Sequence, residues 1–152
     1  MKKYIILLGI LIFTGSVLKA QNISEISIDT SGNLLTIKPI MTFPYTTTAG
    51  AWYNTEGYMQ KQLKSVIKDI PENIKNKLPK KKGFISIYFN SEGHIFECRF
   101  HIFKEDWVDL SSPEWIQLMQ LFMQIKLDMT QIETEKDFSW NAFTCPLSKI
   151  LE

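Results

Sequence analysis

Glu97, Arg99 and His101 stand two residues apart in the run Ile95-Phe96-Glu97-Cys98-Arg99-Phe100-His101-Ile102-Phe103. At the two-residue period of a β-strand, all three project to one face. With Glu97 or His101 as a general base and Arg99 as an anion clamp, that face has the groups of a small hydrolase or transferase. Cross-strand charge pairing uses the same groups without any turnover. Phe84, Tyr88, Ile95 and Phe103 are expected on the same face. Aromatic and apolar groups on a surface that should be wet point to a cover or to a partner site.

A second constellation lies between Tyr45 and Tyr53. Tyr45, Trp52 and Tyr53 are rings able to stack on a sugar or grip a peptide, and Thr46, Thr47 and Thr48 offer hydroxyls. The alternative is that Trp52 and Tyr53 pin the loop onto the helix that follows. Long irregular loops in small domains are often functional. His94 and His101 are seven residues apart, so a regular strand sends them to opposite faces and excludes a two-histidine metal site. His94 and Cys98 are about 13 Å apart along a strand, too far for a dyad. The chain has no GxSxG, HExxH, CxxC or glycine-rich phosphate loop. No cofactor or metal is expected.

The elements that position these groups follow from periodicity. Ile23 to Ile28 and Leu34 to Phe43 read as a hairpin around Thr30-Ser31-Gly32-Asn33. Pro39 lacks a ladder donor, so the second of these strands is expected to be an edge or to bend there. Met59, Leu63, Val66, Ile67 and Ile70 form one helical stripe from about Glu56 to Asp69. Asn54 or Thr55 is placed to cap that helix, and Pro71 to end it. A helical turn or two is expected between Pro71 and Leu78.

Ile85, Ile87 and Phe89 alternate on one strand, and Phe96, Cys98, Phe100 and Ile102 on the next. An odd sum of paired residue numbers, for instance Phe89 opposite His94, brings the two sets together over a turn at Asn90-Ser91-Glu92-Gly93. Ser111 with Glu114 matches a capping box, and Pro113 suits a first helical turn. Trp115, Leu118, Met119, Phe122, Ile125 and Met129 then make the buried stripe of the last long helix. A strand near Asp137 to Leu147 closes the domain. The predicted class is α+β, in the order ββ-α-ββ-α-β, with two helices on one face of a mainly antiparallel sheet.

The first twenty residues give an address. Lys2 and Lys3 precede an apolar run from Tyr4 to Phe13, and Ala20 offers a small residue at the exit. That is the pattern of a secretory signal peptide, and the run is too short for a bilayer span. Cleavage before Gln21 is expected, with cleavage after Ser16 as the lesser option because Leu18 departs from the small-residue preference. The expected location is periplasmic or extracellular, with no membrane span after cleavage.

Removing 20 of the 152 residues leaves 132, enough for one domain over residues 21–152. Removing Lys2, Lys3 and Lys19 from the 17 basic residues leaves 14 against 16 acidic ones. A net charge near −2 argues against nucleic acid as a partner. The basic run Lys80-Lys81-Lys82 reads as a solvated loop. In an oxidising compartment Cys98 and Cys145 either close a loop worth roughly 4 kcal/mol or pack as buried thiols.

The segment Gly83-Phe84-Ile85-Ser86-Ile87-Tyr88-Phe89-Asn90-Ser91-Glu92-Gly93-His94-Ile95 resembles the hairpin of TonB C-terminal-like domains. There a glycine opens an alternating strand, an acidic glycine turn follows, and a helix leads to a closing strand. The resemblance spans roughly residues 60 to 147. The two glycines stand closer here than in the family, and no family functional residue carries over. It implies a periplasmic fold that recognises protein segments by strand pairing. The expectation is a non-catalytic domain binding another envelope or extracellular protein, or a glycan, through the aromatic sheet face and the Tyr45 to Tyr53 loop.

Overall fold

The computed structural model describes residues 22–45, 52–53, 56–79, 82–134 and 138–152, and for Trp52, Tyr53, Glu56 and Thr134 the backbone alone. The expected leader, Thr46 to Thr48, the helix caps Asn54 and Thr55, Lys80, Lys81 and Asp137 lie outside the described residues.

Seven strands and four α-helices occur in the described residues. Strands β1 (Ile26–Ser31) and β2 (Leu34–Pro39) form the first hairpin, and β4 (Phe84–Asn90) and β5 (Ile95–Phe103) form the second. With β7 (Trp140–Pro146) they make an antiparallel sheet in the order β1-β2-β5-β4-β7. A two-residue ladder joins β3 (Trp52–Tyr53) to β6 (Glu133–Thr134). The helices are α1 (Glu56–Ser65), α2 (Glu72–Lys75), α3 (Ser112–Met123) and α4 (Ser148–Leu151). This is the α+β class expected from the alternation of strand and helix periods.

Alternation places the core. Ile37, Ile85, Ile87, Cys98, Phe100 and Ile102 are fully buried on the helix-covered face. The α3 stripe of Trp115, Leu118, Met119 and Phe122 closes over them, with Phe100 seated 5.4 Å from the Trp115 ring and 5.9 Å from Phe122. The start of α3 is held by Glu114, whose carboxylate accepts from the Ser111 N–H at 2.8 Å and from the Ser111 hydroxyl at 3.0 Å. With Lys77 also donating, these bonds hold the Glu114 carboxyl down at about 2.

Helix α1 stops earlier than the stripe predicted. It runs to Ser65, gives way to a tight turn at Ile67–Asp69, and ends at Ile70, whose ψ of 124° is the extended geometry that a following proline imposes. Helix α3 likewise ends at Met123. Lys126 bridges to His94, and the Leu127 N–H donates to the Gly93 carbonyl, so this segment turns away to meet the tip of the second hairpin.

Two register details differ from expectation. Strand β2 is paired on both sides, so Pro39 does not mark an edge. The Lys104 N–H donates to Asn33, and strict alternation from there points the odd-numbered groups of β2 toward β5. The last β2–β5 pair is Ile37 with Phe100, so the missing donor of Pro39 falls just beyond the ladder. In the second hairpin the odd-sum register holds as Ile87 with Cys98 and Tyr88 with Glu97, not as Phe89 with His94. A bulge between these pairs and Phe89–Ile95 absorbs Phe96. Ile95 therefore points into the core, 5% exposed, and Phe96 crosses to the other face. Gly93 supplies the positive φ of 81° at the turn.

Candidate functional site

The sheet face opposite the helices gathers most of the predicted site residues. Phe84, Ser86 and Tyr88 come from β4; Glu97, Arg99, His101 and Phe103 from β5; Thr36 and Lys38 from β2; Thr144 from β7. Ile95 is the exception, turned inward by the bulge.

A polar chain crosses four strands on this face. Thr36 Oγ1 lies 3.0 Å from His101 Nδ1, His101 Nε2 lies 3.0 Å from Ser86 Oγ, and Ser86 Oγ lies 2.7 Å from Thr144 Oγ1. Burial first, and the nearby Arg99 charge second, push the His101 ionisation below its ordinary value. The imidazole is thus held neutral, donating through one nitrogen and accepting through the other. Ser86 is only 4% exposed. Sequence reading missed Thr36, Ser86 and Thr144 as members of a site. The signal was present for Ser86, a small polar residue between Phe84 and Tyr88 on one face of a central strand.

Beside this chain, Glu97 is 3% exposed and accepts from Arg99 Nε at 2.5 Å. Burial opposes the Arg99 charge, but the Glu97 carboxylate outweighs it and raises the guanidinium's ionisation further. The same guanidinium lies 4.4 Å from the Tyr88 ring centre, a cation–π contact. Burial raises the Tyr88 hydroxyl's ionisation in turn. Glu97 and His101 do not meet: each is engaged by a different neighbour.

The end of the face nearest the Asn90–Gly93 turn is covered by the segment that leaves β2. Phe43 packs edge-on against Trp140 at 4.9 Å, Phe96 at 5.3 Å and Tyr88 at 6.0 Å, while Tyr45 lies 5.1 Å from Phe96. The aromatic groups thus meet a cover built from the chain itself. Phe84 and Phe103 form a separate pair at 6.3 Å. Sequence reading named Tyr45 and Tyr88 but missed Phe43 and Trp140, which are remote from each other along the chain. Tyr45 and the Trp52–Tyr53 segment are divided: Tyr45 joins this cluster, whereas the backbone of Trp52 and Tyr53 ladders with Glu133 and Thr134.

Cys98 and Cys145 are both buried on the core side and are not bridged to each other. Strand β4 lies between their strands, which sets the backbones about 10 Å apart at two strand spacings. A disulfide needs roughly 7 Å or less. The bridged alternative is therefore replaced by the buried-thiol one, and burial pushes the Cys98 thiol well above its ordinary value.

The outer edge of β1 is a second feature. The Ile40 N–H donates to the Glu25 carbonyl, and alternation from this pair directs the backbone groups of Ser27, Asp29 and Ser31 toward β2. Those of Ile26, Ile28 and Thr30 point away from the sheet. Among the described residues no strand meets them. Ile28 is 47% exposed and Ile40 57%.

The fold is similar to that in the crystal structure of a DUF5043 family protein from Bacteroides uniformis ATCC 8492. The TM-score is 0.54 at 7% identity, covering 84% of this chain and 93% of that one. At that identity the likeness is one of fold alone. No family model matches the chain, and no curated protein matches it.

Proposed function

We propose that this chain is an exported, non-catalytic domain that binds a protein partner, a second copy of itself included, by accepting an extended segment at the outer edge of β1. The observation that carries the reading is the row of outward backbone groups on Ile26, Ile28 and Thr30, unpaired among the described residues. Such an edge is a template for a further strand, with main-chain bonds giving affinity and alternate side chains giving selectivity. The resemblance of the second hairpin to TonB C-terminal-like domains points the same way. The signal-peptide pattern of the first twenty residues supports export.

The polar face supports a structural role over turnover. Ser86 and His101 are at hydrogen-bond distance, but Thr36 and Thr144 complete the chain in place of a carboxylate. The Leu147 N–H donates to Gly83, and alternation from there commits the Ser86 N–H to β5 and the Ile87 N–H to β7. Neither amide is left to stabilise an oxyanion.

The test is affinity capture from the organism's own envelope extract with the chain from Gln21 onward. Ile28→Pro removes one outward donor and leaves the β1–β2 ladder intact. Tyr88→Ser disturbs the aromatic face instead. A partner kept by wild type and Tyr88→Ser and lost by Ile28→Pro is the expected result. A partner lost with Tyr88→Ser and kept by Ile28→Pro contradicts the reading and moves the site to the aromatic face.

A further inference from the structure

We infer that the segment accepted at this edge is β1 of a second copy of the same chain, paired antiparallel about Ile28. The inference rests on the strand-edge reading and names its partner. The outward groups of Ile26, Ile28 and Thr30 are spaced symmetrically about Ile28. A two-fold axis through that residue therefore sets Ile28 opposite its twin and Ile26 opposite Thr30, all as hydrogen-bonded pairs. Centring the axis on Ile26 or Thr30 runs the pairing out past an end of the strand: Thr30 has only the Gly32–Asn33 turn beyond it. Centring it on Ser27 sets Thr30 opposite Ser24, before the strand begins, and centring it on Asp29 sets two aspartates face to face.

The side chains agree with this register. Asp29 falls opposite Ser27 of the other copy, so no like charges face each other. Asp29 is moreover matched within its own chain by Lys38 at 2.5 Å. Ile28, an exposed large apolar group on the helix-side face, is covered by its twin. Asp29 is the one charge in the strand: Ile26–Ser31 contains no lysine, proline or bulge, and all six pairs with β2 are in regular register.

The experiment is sedimentation equilibrium over a concentration series with the chain from Gln21 onward. Wild type is expected to show a reversible monomer–dimer equilibrium. Ile28→Pro, and Ile28→Lys with two lysines directly opposed, are expected to lose the dimer while keeping the native circular dichroism. Ile28→Cys is expected to cross-link on oxidation, since a hydrogen-bonded pair sets the two Cα atoms about 5.5 Å apart, within disulfide reach. Ser27→Cys alone is expected not to cross-link, because position 27 faces position 29. A wild type that stays monomeric at every concentration overturns self-pairing. The strand-edge reading then stands or falls separately on whether Ile28→Pro loses a captured protein. A dimer that survives both Ile28→Pro and Ile28→Lys overturns the inference as well.

Discussion

Replacing Ser86 by alanine separates a structural polar chain from a catalytic one. The hydroxyl bridges His101 Nε2 at 3.0 Å and Thr144 Oγ1 at 2.7 Å from a position only 4% exposed. Each such bond contributes about 0.5–1.5 kcal/mol net. Thr144 is exposed and regains water when its partner goes, whereas half-buried His101 does so less completely. The expected cost is therefore about 1–2 kcal/mol, concentrated on the histidine side. In a domain of this size that lowers Tm by about 3–8 °C. Urea unfolding followed by tryptophan fluorescence should show a lower midpoint at unchanged slope. A double-mutant cycle with His101→Phe should recover a coupling of about 0.5–1.5 kcal/mol. A Ser86→Ala change within about 0.5 kcal/mol of wild type, or no coupling to His101, would refute the reasoning.

The same chain makes stability depend on pH. Because folding lowers the His101 ionisation, the unfolded chain takes up a proton first as pH falls through roughly 6.5, so stability declines below that point. His101→Phe should flatten the decline in denaturant titrations between pH 7 and 5, and an unchanged slope would count against a neutral buried imidazole. Gly93→Ala should destabilise by more than the roughly 1–2 kcal/mol of a left-handed backbone. The added Cβ would stand 2.3 Å from the Leu127 carbonyl oxygen, where φ is already 81°; a Tm equal to wild type would show that the hairpin tip does not dock there. Cys98 and Cys145 should resist thiol reagents in the native protein and react fully in denaturant. Recovery of a Cys98–Cys145 disulfide after oxidation of the folded chain would contradict the strand order.

Local pattern carried most of the architecture. Period-two alternation in residues 84–103 located the central hairpin, and the Ser111–Glu114 spacing located the start of α3. Parity alone cannot show a bulge, however. The extra residue at Phe96 reverses every assignment on its far side, which is why Ile95 was expected outside and lies in the core. The polar chain was illegible for a different reason. Its members, Thr36, Ser86, His101 and Thr144, sit on four strands whose order is set by long-range pairing, so no window of sequence contains the motif. Phe43 and Trp140 escaped notice for the same cause. The stripe lengths of α1 and α3 overran because apolar period continues through residues that pack against the core after the helix has ended.

Amide hydrogen exchange in β1 tests the strand-edge claim most directly. In dilute protein the N–H groups of Ser27, Asp29 and Ser31, bonded to β2, should exchange slowly, and those of Ile26, Ile28 and Thr30 rapidly. Raising the protein concentration, or adding a captured partner, should slow Ile26, Ile28 and Thr30 together and leave the other three unchanged. If those outward amides are already protected at high dilution, or stay unprotected when the partner is bound, β1 is not the binding edge.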